Sequence, residues 1–316
     1  MLFLGADDIR AAVAIPRLVD AIEQAFRDGW TAPERQVVEV PGGAGERLLL
    51  LMPAFAPGSG GAVKLVTLFP DNAPAGLPTI QGAIVVFSET GEPTAVLDGT
   101  VVTRLRTGAA SALASRYLSR PASSHLVLIG TGALAPYMAA AHRAVRPLTR
   151  ISVLGRHRGR AEATAGTVRE LVGEDVEVTV AERPAAAVPA ADIVCCATSS
   201  KTPVLRGEWL REGVFVDLVG AFKPTMREAD DAAVLRARIF VDTFTGALAE
   251  AGDILDPLRR GIIRRERIEG ELADLVCGRV PGRRDEGEIT LFKSVGTAIE
   301  DLAAARLLVA GAGEAR

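Results

Sequence analysis

A glycine-rich turn is the clearest motif of the sequence with a chemical use. It reads GTGALA at residues 130–135, directly after an apolar run at 126–129, and a helical pattern covers 133–144. Between a strand and a helix, such a turn lets the backbone approach a pyrophosphate, while the helix N-terminus supplies N–H groups and a favourable dipole. The motif predicts a dinucleotide site; the alternative is a glycine-rich turn that binds no ligand. The predicted contacts in this turn are Gly130, Gly132, Ala133 and Leu134.

Arginines follow the next predicted strand, residues 151–154, and they bear on the choice of cofactor. An NAD site usually has Asp or Glu here to accept hydrogen bonds from the ribose hydroxyls, whereas this chain reads GRHRGR at 155–160. An arginine pairs with a 2′-phosphate that a carboxylate would repel. We therefore expect NADPH to be preferred, with NADH possible, and Arg156, His157 and Arg158 to be the contacts. The alternative is a solvated basic loop, because arginines are abundant throughout.

Three cations in the first third of the chain are candidates for binding an anionic substrate. Lys64 has apolar neighbours on both sides in the run 62–69, so it either snorkels from an edge strand or points into a polar pocket. Arg106 and Thr107 lie on a predicted helix with small residues on the same face, where an arginine is well placed to hold a carboxylate in bidentate fashion. Arg35, taken alone, is an ordinary surface charge.

The hydrophobic pattern changes after about residue 120. Before that point it predicts a mostly antiparallel sheet with flanking helices, and after it strands alternate with helices, which is typical of parallel strands joined by crossover helices. A basic stretch at 258–267 is interpreted as a solvated helix face. The early elements are helices at 7–29 and 101–118 and extended runs at 48–52, 62–69, 83–87 and 94–97. The later ones are strands at 126–129, 151–154, 176–180, 193–197, 214–219 and 239–242, with helices at 133–144, 161–172 and 299–309.

The composition excludes several classes of protein. With 316 residues, 48% of them hydrophobic, and a net charge of −3, the chain is neither disordered nor basic enough for a nucleic-acid or membrane surface. It has no apolar run of about 18 residues that could span a bilayer, and an acidic pair lies where a secretory signal would be basic. The three cysteines and three histidines show no disulfide or metal-ligand spacing. We expect a cytoplasmic protein without a metal.

Segments along almost the whole chain together resemble the ornithine cyclodeaminase/μ-crystallin family. This combination is much more specific than the glycine motif alone. The matching segments are PER at 33–35, MPA at 52–54, VK at 63–64, DG at 98–99 with Thr103, Arg106 and Thr107, GTG at 130–132, ADIV at 191–194 with Ala197 and Thr198, VGA at 219–221, and FKSVG at 292–296 with Glu300 and Asp301.

The resemblance implies an α/β fold with two domains and a homodimer. Residues 1–119, completed by 293–316, would form an α+β substrate-binding and dimerisation domain, and residues 120–292 a Rossmann-type domain with a doubly wound parallel sheet that binds NADP(H). It also implies that Arg35, Lys64 and Arg106 hold the carboxylate and the reacting nitrogen of an imino or amino acid, with Lys64 and Arg106 catalytic and Thr107 at the substrate. Further cofactor contacts implied by the resemblance are Thr79, Ala197, Thr198, Val219, Ser294, Val295 and Gly296.

Of two departures from the family pattern, one narrows the expected activity, and the other is a smaller change that bears on cofactor packing. Members that cyclise ornithine carry an aspartate where this chain has Phe222, in VGAFKP at 219–224, and many members have glutamine at the position of Leu134. The Phe-Lys-Pro version resembles the branch that reduces cyclic ketimines, with Phe222 as an apolar wall for the substrate. Nearby Asp217 is expected to satisfy local backbone or to cap the strand end rather than to act as a base.

The implied activity is NAD(P)H-dependent reduction of Δ1-pyrroline-2-carboxylate to L-proline, with the six-membered homologue Δ1-piperideine-2-carboxylate reduced to L-pipecolate. Two alternatives stay open at this point. One is an ornithine cyclodeaminase, which converts L-ornithine to L-proline and ammonia, and the other is a non-catalytic, crystallin-like protein that binds NADPH or a small ligand. The reductase would consume external NADPH, and the cyclodeaminase would release ammonia without net redox change. The crystallin-like protein would do neither.

Overall fold

The computed structural model describes residues 1–43 and 45–314, and it divides the chain into two compact units. The first comprises Met1–Thr107 with Thr297–Arg316, and the second comprises Gly108–Gly296. No helix of the described residues is long and apolar enough to cross a membrane.

The first unit combines a mixed sheet with helices from both ends of the chain. Helix α3 (Gly99–Leu118) begins in this unit and continues into the second. The strands are β1 (Leu2–Leu4), β2 (Gln36–Glu39), β3 (Leu48–Phe55), β4 (Gly61–Leu68), β5 (Ile80–Phe87) and β6 (Pro93–Asp98). The remaining helices are α1 (Ala6–Ala12), α2 (Ile15–Asp28) and the C-terminal helix α11 (Ala298–Glu314).

The six strands form one sheet in the order β1-β6-β5-β4-β3-β2. All neighbours are antiparallel except β1 and β6, which confirms the predicted mostly antiparallel module. Helix α11 packs on β3, β4 and β5, and alternate strand residues such as Met52, Val66 and Ile84 are buried on that face. The opposite face is also apolar, and there Phe3 and Phe55 are 70% and 52% exposed.

The second unit contains the rest of the strands and helices. Its strands are β7 (His125–Ile129), β8 (Arg150–Leu154), β9 (Glu177–Val180), β10 (Ile193–Cys196), β11 (Phe215–Leu218), β12 (Arg238–Val241), β13 (Ile268–Glu271) and β14 (Thr290–Lys293). Its helices are α4 (Ala135–Val145), α5 (Arg158–Val172), α6 (Pro184–Ala187), α7 (Asp231–Arg236), α8 (Phe244–Glu250), α9 (Gly252–Arg259) and α10 (Leu272–Val276).

These strands form an eight-stranded parallel sheet in the order β13-β12-β14-β11-β10-β7-β8-β9. The central strands are buried along their whole length and consist almost entirely of apolar residues, as expected for parallel strands covered on both faces. The strand order reverses at β7, which lies between β8 and β10. Dinucleotides bind outside the carboxyl ends of the strands at such a switch point. The predicted doubly wound α/β fold is confirmed.

Two predicted helices are wrong in part. The segment 7–29 forms α1 and α2 with an extended break at Val13 and Ala14, because in a continuous helix the Pro16 ring would clash with the Ala12 carbonyl. The segment 258–267 is not one helix: α9 ends at Arg259, and Gly261 then takes a φ of 69° that suits a helix end. The strands β1, β2, β13 and β14 were not predicted; each has only three or four residues.

Candidate functional site

A buried cluster of opposite charges in the first unit contains two of the predicted substrate residues. The Lys64 Nζ lies 2.7 Å from Oδ2 of Asp301, and Nε of Arg106 donates to Oδ1 of the same carboxylate at 2.9 Å. A second Arg106 nitrogen donates to Oε2 of Glu300 at 2.5 Å. Every side chain of this cluster is at most 6% exposed. The structure therefore brings Lys64 and Arg106 together around Asp301.

Local structure explains how these charges meet. Lys64 alternates along β4 with buried Ala62 and Val66, so it points to the helix-covered face of a strand that has neighbours on both sides. The alternative of a lysine that snorkels from an edge strand is thus wrong. Glu300 and Asp301 lie in the first turn of α11, where the helix dipole favours carboxylates.

The cluster changes the proton affinity of its members. Burial, with a further contribution from Arg106, lowers the pKa of Lys64 to about 8, although Asp301 acts in the opposite direction. Burial alone would raise the pKa of Asp301, but Arg106 and Lys64 outweigh it and hold that pKa below its usual range. At neutral pH the pair is an ammonium and a carboxylate, and the ammonium is a better proton donor than an ordinary lysine.

The other predicted residues of the first unit lie in different positions. Arg35 precedes β2, is partly exposed, and its charge acts on both Lys64 and Asp301. Thr107 is buried and follows Arg106 on α3. Thr79 is partly exposed just before β5, and its carbonyl accepts a hydrogen bond from the Phe69 N–H.

In the second unit, the glycine-rich turn lies at the carboxyl end of β7, where the strand order reverses. Gly130 has a φ of 137°, and a Cβ there would lie 2.3 Å from the Ala197 carbonyl oxygen, so this position requires glycine. A Cβ on Gly132 would meet no atom within 4 Å, and Gly132 and Ala133 are exposed. Helix α4 starts two residues later than predicted, after Leu134. The turn thus presents open backbone and a helix N-terminus, as a pyrophosphate site requires.

The basic residues after β8 are all exposed and lead into the N-terminus of α5. Arg158 is the first residue of that helix and pairs with Glu162 at 2.9 Å, while His157 is its N-cap. Arg156 makes no hydrogen bond or ion pair to any part of the chain that the structure describes. A helix N-terminus with an adjacent arginine can bind an anion.

Two buried carboxylates that the sequence did not indicate hold the remaining predicted cofactor segments. Oε1 of Glu228 accepts hydrogen bonds from the Thr198 N–H at 2.6 Å and from its hydroxyl at 2.8 Å. Oδ2 of Asp242 accepts hydrogen bonds from the hydroxyl of Ser294 and from the N–H groups of Val295 and Gly296, at 2.6 to 3.0 Å. Ala197 and Val219 directly follow β10 and β11.

Asp217 and Phe222 differ in their surroundings. The expectation that Asp217 satisfies local backbone or caps its strand is wrong: it lies within β11, is fully buried, and accepts hydrogen bonds from the Ser111 hydroxyl at 3.1 Å and from Nε2 of His142 at 3.0 Å. Mid-strand placement directs its side chain out of the sheet rather than towards the strand end. Phe222 lies in the loop after β11 and is partly exposed.

One potential ligand of each of His142, Cys195 and Asp217 lies within 4.8 Å of the others, a spacing that could accept a metal ion. Both Asp217 oxygens already accept hydrogen bonds, and burial raises the pKa of the Cys195 thiol well above its ordinary value. The three residues come from α4, β10 and β11, so no spacing in the sequence could have grouped them. The expectation of a protein without a metal stays a prediction.

The ornithine cyclodeaminase/mu-crystallin family profile matches residues 1–314. The chain belongs to this family. The family resemblance read from the sequence is therefore confirmed.

Individual relatives give more detail. The chain is 38% identical over 313 residues to the Δ1-pyrroline-2-carboxylate reductase of Colwellia psychrerythraea, with 98% of each chain covered. Its fold matches that of the Thermococcus litoralis Δ1-pyrroline-2-carboxylate reductase in complex with NADH and L-proline, with a TM-score of 0.94 and 34% identity over 100% of this chain and 98% of the other. It also matches an archaeal alanine dehydrogenase dimer with bound NAD, with a TM-score of 0.91 and 29% identity over 100% and 97% of the two chains.

Proposed function

We propose that the protein is an oxidoreductase that reduces Δ1-pyrroline-2-carboxylate to L-proline with NAD(P)H, and that it also reduces the six-membered homologue to L-pipecolate. Residues 1–119 with 293–316 act as the substrate-binding domain, and residues 120–292 bind the cofactor. The observation that carries this proposal is the buried Lys64–Asp301–Arg106 cluster, in a chain whose switch-point turn suits a dinucleotide.

The charge of the cluster suits a substrate with one carboxylate. In the buried cluster the two positive charges of Lys64 and Arg106 balance the two negative charges of Glu300 and Asp301. Arg35, whose charge acts on Lys64 and Asp301, adds one further positive charge. The excess positive charge matches the carboxylate of a cyclic imino acid. Arg35 and Arg106 bind that carboxylate, since a guanidinium can hold it through paired N–H groups.

Lys64 is the proton donor in this proposal. When bound, a reduced nicotinamide would supply the hydride for the carbon of the C=N bond, and the ring nitrogen would take up one proton. Lys64 holds that proton at Nζ and donates it to the ring nitrogen. A general acid is most effective when its pKa is close to the pH at which the enzyme works, and the pKa of Lys64, about 8, is close to neutral pH. Asp301 keeps the ammonium charged and oriented at a distance of 2.7 Å.

Phe222 separates reduction from cyclodeamination in this proposal. Cyclodeamination needs a base that moves protons at the two amines of ornithine, and Phe222 offers no such group. Asp217 is fully buried and already accepts hydrogen bonds from Ser111 and His142. An apolar side chain at Phe222 suits contact with the carbons of a substrate ring.

NADPH is the preferred cofactor in this proposal, with NADH also accepted. Exposed Arg156 lies just before the N-terminus of α5, where arginine and helix dipole together favour a 2′-phosphate. Further proposed cofactor contacts are His157 and Arg158 here, Gly130, Gly132, Ala133 and Leu134 in the turn, and Thr79, Ala197, Thr198, Val219, Ser294, Val295 and Gly296 elsewhere.

We propose a homodimer, and the uncovered face of the first sheet supports this proposal. This face contains the partly exposed apolar side chains of Leu49, Leu51, Val63 and Leu65, together with the more exposed Phe55. A continuous apolar sheet face of this kind marks an association surface. An archaeal alanine dehydrogenase of the same fold is a dimer.

Reduced-nicotinamide absorbance tests the proposal directly. Purified protein is incubated with NADPH and each cyclic imine, and the loss of absorbance is compared with the amount of L-proline or L-pipecolate formed. One NADPH should be consumed for each product molecule. Release of ammonia from L-ornithine with catalytic NAD, without NADPH oxidation by the imine, would favour the cyclodeaminase. Binding of NADPH with neither reaction would favour the crystallin-like alternative.

A further inference from the structure

Glu228 lies at the centre of a buried polar network at the carboxyl edge of the parallel sheet. Its Oε1 accepts the N–H and hydroxyl of Thr198, in the segment after β10. Its Oε2 accepts the N–H groups of Gly220 at 2.7 Å and Ala221 at 3.2 Å, in the segment after β11. One carboxylate thus ties together the two chain segments that leave neighbouring strands.

Gly220 lies in close contact with both Thr198 and Glu228. A Cβ on Gly220 would lie 1.9 Å from the Thr198 carbonyl oxygen and 2.4 Å from Oε1 of Glu228. A side chain on Gly220 would therefore push the two segments apart. The segments are held in close contact by glycine and carboxylate together.

The network extends to a third segment through two more buried charges. Oδ1 of Asp253 accepts the Glu228 N–H at 2.7 Å, and Oδ2 of Asp253 lies 3.3 Å from Nζ of Lys293. Lys293 is the last residue of β14 and directly precedes Ser294. Glu228, Asp253 and Lys293 are all fully buried. Burying such charges is costly, and apolar side chains of similar volume often stabilise a fold at least as well. The stability of the fold alone therefore does not explain why these three residues are charged.

The position of these segments in the fold says what they would hold. In a doubly wound sheet, the two halves on either side of the switch point each take one mononucleotide. The glycine-rich turn after β7 and the arginines after β8 belong to the half that takes the adenosine end. The segments after β10, β11 and β14 belong to the other half, which takes the nicotinamide end.

We propose that Glu228 is a positioning residue that fixes the nicotinamide half of the cofactor by clamping the segments after β10 and β11. This inference rests on the proposed use of a nicotinamide cofactor, although not on the identity of the imine. Glu228 does not contact the reacting atoms; it acts through Thr198 and Gly220.

Glu228→Gln is the variant that tests the clamp. The amide keeps the size of the side chain but turns one acceptor oxygen into a donor. In either amide orientation, the N–H groups of one segment then face an NH₂ group instead of an oxygen. Glu271→Gln is the matched control, because Glu271 at the end of edge strand β13 also accepts a backbone N–H, from Phe244 at 2.8 Å.

Calorimetry should compare NADPH with ADP-ribose 2′-phosphate, which lacks the nicotinamide. In Glu228→Gln the Kd for NADPH should rise about tenfold or more, since one of the two segments loses its buried hydrogen-bond acceptor. The Kd for ADP-ribose 2′-phosphate should change by no more than about twofold, because this ligand uses the adenosine half of the site and not the segments that Glu228 holds. The control variant should leave both Kd values unchanged. Equal weakening of both ligands, or no weakening of either, would overturn the proposal. Failure of the wild type to bind NADPH would instead refute the proposed function.

Amide hydrogen exchange in the unligated wild-type protein tests the clamp even if the variant does not fold. The N–H groups of Thr198 and Gly220 should exchange as slowly as those of Val194 and Val216 within the adjoining strands. Exchange as fast as that of the exposed Ser199 would show that Glu228 does not hold these segments, and would overturn the proposal.

Discussion

Replacing Lys64 with methionine removes the ammonium from the buried Lys64–Asp301–Arg106 cluster and changes little else. Methionine is similar in length, flexible and apolar, so it fills the buried position on β4 without a large cavity. Asp301 keeps its hydrogen bond from Arg106 at 2.9 Å and is not left as an isolated buried charge. The variant is therefore expected to fold, and its loss of activity can be assigned to the missing ammonium.

The expected loss follows from the role of Lys64 as proton donor. A positioned general acid contributes about 10²–10⁴-fold to rate, so turnover of the imine should fall by at least about 100-fold. The Kd for NADPH should change by no more than about twofold, since the cofactor contacts lie elsewhere in the chain. Lys64→Arg is the control: it keeps a positive charge for the substrate carboxylate but does not release its proton readily.

The pH dependence gives a second, independent signal. Burial lowers the pKa of Lys64 to about 8, so wild-type turnover should fall as the pH rises through about 8 and the donor loses its proton. The lowered pKa means that the buried ammonium destabilises the folded protein, and this destabilisation is fully present below pH 8. The shift of the Lys64 pKa from 10.5 to about 8 corresponds to about 3 kcal/mol of unfolding free energy. The free energy of unfolding of the wild type should therefore rise by about this amount as the pH is raised from about 8 to 10.5.

Single-turnover oxidation of NADPH and urea unfolding, each measured across pH, check these expectations. The free energy of unfolding of the wild type should rise relative to that of Lys64→Met over the upper pH window. If Lys64→Met keeps activity within about threefold of the wild type, far short of the general-acid contribution, the lysine does not donate the proton. A wild-type turnover that is flat through pH 8 would contradict the same role.

Three further predictions concern the cofactor, the dimer and the cluster. Arg156→Asp should lower kcat/KM with NADPH about 10- to 100-fold and with NADH by much less, because a charge-assisted contact to the 2′-phosphate is lost; equal losses with both cofactors would refute the contact. Leu65→Glu should give monomers in analytical ultracentrifugation, since it places a charge on the apolar sheet face; a dimer of unchanged strength would place the interface elsewhere. Asp301→Asn should lower the free energy of unfolding at neutral pH by about 3–5 kcal/mol, because Lys64 and Arg106 lose a buried partner; a loss below about 1 kcal/mol in urea unfolding would contradict the buried pairing.

The parts of the site that depend on local context could be predicted from the sequence. The glycine turn was recognisable because strand, turn and helix are consecutive, and Gly130 indeed takes a φ of 137° that favours glycine. Lys64 was conspicuous in an apolar strand, but its direction depends on which face of β4 meets α11, a contact between residues more than 200 positions apart.

The carboxylates that organise the site could not be found in this way. Glu228, Asp242 and Asp217 act on partners that the fold brings together from separate strands and loops, and no short motif marks them. Asp301 was part of the family match, yet its role became visible only when Lys64 and Arg106 were seen on either side of it. By contrast, the break between α1 and α2 followed from Pro16 and could have been predicted.

Deuterium transfer from cofactor to product tests the central claim most directly. NADPH carrying deuterium on one face of nicotinamide C4, and then NADPH labelled on the other face, is incubated with the protein and Δ1-pyrroline-2-carboxylate, and the L-proline formed is analysed by mass spectrometry and NMR. The proposed function predicts one deuterium at Cα of L-proline for each cofactor oxidised when the label is on one of the two faces, and none when it is on the other. Absence of deuterium at Cα with both labelled cofactors, or no cofactor oxidation at all, would contradict it.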